Sequence, residues 1–181
     1  MRAARIAAGI VLALGLLVPA ATAAPRHGKR VLTPLESGVL TDINDFRRAH
    51  RLPTLRLNVR LTAAARAHSA QMAQDGYFSH DSADGSVFWK RIQGFYASSP
   101  WNYWSVGENL LWSSPDVTPA GALKMWLASP EHRANLMNGR WREIGVAAVH
   151  EAAAPGVFKG LDVTIVTTDF GVRRQRVSAL R

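Results

Sequence analysis

Apolar residues recur at helical spacing through Leu35, Val39, Leu40, Ile43 and Phe46, one face of a helix that Thr33-Pro34 opens with threonine as N-cap and proline in the first turn. His50 falls at the far end of this helix, in a capping or solvent-side place. Leu52-Pro53-Thr54-Leu55-Arg56-Leu57 is extended, by its proline and by its apolar alternation. A second helix begins at about Leu61, carries Ala64, Ala65, His68, Met72 and Ala73, and ends at Asp75-Gly76. Its alanines allow close packing, and His68 reads as a packing histidine with one polar partner rather than a ligand.

Val87, Phe88, Trp89, Ile92 and Phe95 predict a short third helix, followed by a loop over residues 98–102. An apolar run over 105–112 reads as a strand interrupted by Gly107 and Glu108; the glycine marks a bulge or a close backbone approach. Residues 116–118 can cap a fourth helix bearing Ala122, Leu123, Met125 and Trp126. That helix breaks at Ser129-Pro130, because proline has no amide hydrogen and its ring clashes with the preceding turn. Glu131, His132 and Arg133 therefore stand at a rigid corner, where side chains can be aimed into a cleft. Residues 144–149 and 161–170 follow as apolar strands. The pattern alone describes a mixed α and β domain.

A chain of 181 residues suits one domain, and without cysteine it has no disulfide framework, cysteine zinc site or thiol nucleophile. Arg2 and Arg5, the apolar run 6–18, Pro19 and Ala21-Thr22-Ala23 read as a secretory signal peptide over 1–23, short for a permanent membrane span, with uncleaved retention as an anchor the alternative. Residues 24–33 form a polar linker, and the expected product is a monomer outside the cytoplasm without a stable membrane span. The net charge of +9 becomes about +7 without the two leader arginines and favours anionic partners. No nucleic-acid-binding motif accompanies it, so Arg47, Arg48, Arg51, Arg56, Arg60 and Arg66 read as a solvated exterior, and residues 172–181 as a basic C-terminal tail.

Chemistry gathers at three places. Phe78-Ser79-His80-Asp81 lies in a loop, where polar side chains are free to face a ligand. Glu108 is expensive to bury without a cation or donors, so it is either paired with an arginine or aimed into a site. His132 is the third, with Arg133 beside it as a candidate partner for Glu108 or a backbone carbonyl. Asn109 and Asn135 are placed to fix local backbone.

The succession FSH, GENL, W-x-x-S-P-x-H-R-x-N-L, E-I-G-V and a strand ending Asp169-Phe170-Gly171 resembles the CAP superfamily of cysteine-rich secretory, antigen-five and pathogenesis-related proteins, nearest its cysteine-free secreted bacterial members. The resemblance runs from about Pro34 to Gly171 and implies a CAP domain over 34–171, with an α+β fold: a three-layer α-β-α sandwich around a mainly antiparallel sheet. It also implies a central cleft in which two histidines can hold a divalent ion beside two glutamates. By motif the histidines are His80 and His132 and one glutamate is Glu108; the position of the other holds Ser129, with Glu131 nearby as a partial substitute. Two neutral imidazoles and waters make an open, weak site for Zn2+ or another divalent cation, with a nearby carboxylate such as Glu108 orienting a metal-bound water by hydrogen bonding. Three functions stay open: a secreted binding domain for a lipid, peptide or anionic cell-wall ligand, with Trp89, Trp101, Tyr103, Trp104 and Trp112 near the cleft; a metal-dependent hydrolase, peptidase-like, using Glu108 as general base; and a structural or stress-related envelope protein.

Overall fold

The computed structural model describes residues 32–175, so the leader read over 1–23 and most of the linker lie outside the described residues. In chain order the elements are α1 (Pro34–Ala49), β1 (Arg56–Leu57), α2 (Val59–Asp75), α3 (Phe88–Phe95), β2 (Tyr103–Ser113), α4 (Pro119–Ala128), α5 (Pro130–Met137), β3 (Glu143–Ala154) and β4 (Leu161–Arg174). Helix starts obey local chemistry. Thr33 accepts the Glu36 amide at 3.2 Å while the Glu36 carboxylate accepts the Thr33 amide at 2.8 Å, a capping box that satisfies two otherwise unpaired donors. Asn58 caps α2 and Thr118 caps α4, and Gly76 closes α2 at φ 70°, a left-handed conformation open to glycine at little cost.

The sheet has the order β1-β3-β4-β2, with β3–β4 and β4–β2 antiparallel. The expected α-β-α sandwich is present. Its sheet is mixed rather than purely antiparallel, because Arg56 and Leu57 run alongside Glu143 and Ile144 in the same direction. Side chains alternate across a strand, so central β4 feeds two cores. Val166, Phe170 and Val172 pack with Val39, Ile43, Trp126 and Leu136 of α1, α4 and α5. Val163 and Ile165 pack on the opposite face with Met72 and Ala73 of α2. There α2 lies so close that a Cβ on Gly145 would stand 2.1 Å from the Leu61 carbonyl carbon, a gap only glycine allows. The last strand also continues to Arg174, past the boundary read at Gly171: Val172 is core, and the Arg173 guanidinium lies 3.8 Å from the Tyr96 ring centroid. Residues 172–174 therefore belong to the sheet, and 176–181 lie outside the described residues.

Two buried charged side chains tie the layers together. Glu36, with no exposed surface, accepts from Arg66 of α2 and from the Ala148 amide of β3 at 3.0 Å, joining three elements through one carboxylate. Arg47 is equally buried, contrary to its reading as solvated exterior. It donates to the carbonyls of Pro53 at 2.9 Å, Leu136 at 2.8 Å and Asn138 at 3.2 Å, so it holds the C-terminal end of α5. Removing a donor from buried carbonyls leaves each with an uncompensated desolvation cost. Arg47→Met should lower unfolding free energy by about 3 kcal/mol in chemical denaturation.

Candidate functional site

The site is built across β2, the strand at one edge of the sheet. Alternation sends Glu108 toward α2 and α3, and Gly107 and Asn109 toward α5. Glu108 is only 4% exposed. Its Oε1 accepts from His80 Nδ1 at 2.8 Å and its Oε2 from Arg91 Nη2 of α3. A carboxylate only accepts, so His80 carries its hydrogen on Nδ1 and turns Nε2 outward. Arg91 Nη1 donates as well to the His80 carbonyl and to Ser82 Oγ, both at 3.1 Å, clamping the loop that bears His80. Behind this loop His68 donates from Nε2 to the Ser79 carbonyl at 2.8 Å, the single polar partner expected for a buried histidine. The arginine that neutralises Glu108 is thus Arg91 and not Arg133. Arg133 lies instead beside a surface groove of about 400 Å³ with Leu127, Pro130 and Met137.

His132 arrives from the opposite layer. It stands in the first turn of α5, where Ser129 Oγ accepts its amide at 3.4 Å. Asn109 donates to the His132 carbonyl at 3.0 Å, and Asn135 to the Glu108 carbonyl at 3.0 Å and to Asn109 Oδ1 at 2.9 Å, so both asparagines fix backbone as read. Gly107 makes the approach possible, since a Cβ there would lie 2.9 Å from Trp141 and 3.0 Å from Asn135 Oδ1. The imidazoles of His80 and His132 meet with centroids 6.3 Å apart and planes inclined by 58°. Glu131 stays in solvent and accepts from Ser129 Oγ at 3.0 Å, so these two residues cap α5. The five aromatics do not form one platform: Trp112 packs on Phe158, Trp104 donates to the Tyr96 carbonyl, Trp101 lies by Arg173, and Trp89 and Tyr103 are exposed.

Burial, and then the neighbouring His80, hold His132 below the ordinary histidine value, against the smaller pull of Glu131. Burial likewise lowers His68, with Glu108 opposing. His132 is therefore neutral near pH 7, as a metal ligand must be. No ring nitrogen of His132 is hydrogen-bonded among the described residues, and Glu108 behind His80 is the arrangement that orients a ligating imidazole. These features fit an ion held by two histidines and completed by water. They do not fit a closed structural site, because no group of three or more His, Asp or Glu is placed to hold one among the described residues.

The model of the cysteine-rich secretory protein family, CAP, matches residues 40–166. The chain belongs to the CAP family. The uncharacterized Bacillus subtilis protein YkwD is 30% identical over 118 residues, 65% of this chain and 44% of YkwD. The uncharacterized membrane protein YlbC of the same organism is 28% identical over 132 residues, 73% of this chain and 36% of YlbC. This CAP chain therefore spans less than half the length of either curated relative. An extracellular SCP-domain protein of Bacillus anthracis superposes with a TM-score of 0.55 at 28% identity over 81% of this chain and 45% of its own. An outer surface protein of Borrelia burgdorferi shares the fold at a TM-score of 0.61 and 20% identity, over 80% of this chain and 97% of that one.

Two ionisable residues beside Glu108 in this CAP domain escaped the sequence reading of the site, Arg91 on α3 and Asp169 opposite Glu108 on β4. Removing one partner of a buried ion pair leaves a bare charge. Arg91→Met should cost about 3–5 kcal/mol in chemical denaturation, and adding Glu108→Gln should recover part of that loss. The pH dependence has a definite sign. The folded chain holds His68 below the value near 6.5 that it takes when unfolded, so the unfolded state binds the proton first. The stability contributed by neutral His68 should be lost as pH drops below about 6.5, so the difference in denaturation midpoint between the unmodified chain and His68→Gln should shrink from about pH 7 to 5.

Proposed function

We propose that this CAP domain is exported and works by binding, holding a divalent cation weakly between His80 and His132 in a cleft that receives an extracytoplasmic lipid, peptide or cell-wall ligand. The observation that carries this reading is the state of Glu108. Both of its oxygens are engaged, one by His80 and one by Arg91, and it is buried. A general base must reach the proton it takes and be free to hold it. A carboxylate neutralised by a guanidinium and bonded to the back of an imidazole is built to position, which favours binding over hydrolysis. Zinc, when bound, would supply Lewis acidity and lower the pKa of its water.

Export rests on the charged, apolar and small-residue order of residues 1–23 and on the extracellular and outer-surface character of the structural relatives. No helix among the described residues is long and apolar enough to cross a membrane. The positive charge suits an anionic ligand or surface.

The test is zinc calorimetry on the chain lacking residues 1–23, beside His80→Ala and His132→Ala. One ion per chain, lost in both variants, is the expected result, with no zinc-dependent turnover of peptide or ester substrates. Uptake that survives both substitutions would remove the site. Turnover abolished by Glu108→Gln would replace binding with hydrolysis.

A further inference from the structure

We propose that Asp169 is a second carboxyl of this site, held as a neutral acid beneath Glu108, where it donates its hydrogen to the Glu108 carboxylate and so fixes that carboxylate on His80. The inference takes its location from the binding reading but needs no metal.

The geometry comes from strand register. Glu108 of β2 and Asp169 of β4 are direct antiparallel partners, so their side chains leave the same face of the sheet side by side. Asp169 is completely buried, and among the described residues no donor reaches either of its oxygens. An ionised carboxylate left in that state would be a buried charge without compensation, beside a second negative charge. The charged and titratable groups nearby are Glu108 from β2, Arg91 from α3 and the neutral His68 from α2, while β3 contributes Gly145. One guanidinium thus serves two carboxyls, and it is committed to Glu108.

The site balances when one proton is shared between the two acids. Glu108 carries the negative charge that Arg91 neutralises, and Asp169 stays protonated. Burial raises Asp169 well above the ordinary carboxylate range, the charge of Glu108 raises it further, and Arg91 opposes. The hydroxyl of Asp169 needs an acceptor, and the neighbouring carboxylate is one. Glu108 then accepts three hydrogens, from His80 Nδ1, Arg91 and Asp169, which leaves its carboxylate a single orientation. Asp169 is accordingly a positioning residue: it acts on the outward Nε2 of His80 through Glu108. A second carboxyl reaches the site from the sheet, where position 129 at the α4–α5 corner offers only serine.

Carbon-13 spectra of the side-chain carboxyls, together with nitrogen-15 shifts of the histidine rings, test this on the metal-free chain lacking residues 1–23. One aspartate should show the chemical shift of a neutral acid at pH 7 and vanish in Asp169→Asn. That variant retains a donor toward Glu108 and should keep His80 protonated on Nδ1 alone. Asp169→Ala should convert His80 to a mixture of tautomers. In Glu108→Gln the aspartate should ionise at neutral pH, because the like charge is gone and Arg91 becomes free to pair with it. An ionised Asp169 in the unmodified protein overturns the proposal without any variant having to fold, and so does a single unchanged His80 tautomer in Asp169→Ala. These readings contain no zinc, so they fail separately from the calorimetry that tests the binding site.

Discussion

The carboxylate of Glu108 is the constraint on which the site depends. An anion with 4% exposure must find its compensation within the protein, and the partners it gathers come from different parts of the chain. Its side-chain oxygens take His80 from the loop after α2 and Arg91 from α3. Its backbone carbonyl takes Asn135 from α5, which in turn holds Asn109 against the His132 carbonyl. One residue of an edge strand therefore fastens both outer layers, with its charge on one side and its peptide group on the other. The meeting of His80 and His132 is a product of that double attachment.

The helices were legible because their signals are local. Thr33-Pro34, Asp75-Gly76 and Ser129-Pro130 act within a turn of where they stand, and the amphipathic spacing of α1 needs no knowledge of what covers it. The convergence of His80, Glu108 and His132 was not local, and it came from the ordered motifs of a known family rather than from periodicity. Arg91 and Arg47 were missed for one reason. On an amphipathic helix an arginine beside polar neighbours reads as solvent-facing, and only the carbonyls or carboxylate brought to it by distant segments make it interior. Sequence adjacency to His132 leaves Arg133 open between Glu108 and a backbone carbonyl, yet successive helical residues point about 100° apart, and this one faces a surface groove. Asp169 required the register itself, since nothing in residues 161–174 says which position of β2 stands opposite.

Polar groups inside this domain divide by the work they do. Glu36 and Arg47 bond neither imidazole of the pair; their partners are backbone groups or another element's arginine, so they specify how helices sit on the sheet. Glu143 does the same at another strand, accepting from Asn58 at 2.8 Å and from the Tyr96 hydroxyl at 2.6 Å. Tyr96 is raised above its ordinary value by burial and by that carboxylate, so it remains a donor. Around Glu108 the same kind of chemistry ends at two outward-facing rings instead of closing on itself.

Glu36, Arg47 and Glu143 together occupy the role that covalent cross-links have in small exported domains, joining segments distant in sequence across the layers. With no sulfur among them, the joints form as soon as the chain folds and require neither an oxidant nor an isomerase. The native state is then indifferent to thiol reductants, and surroundings that turn from oxidising to reducing leave its architecture unchanged.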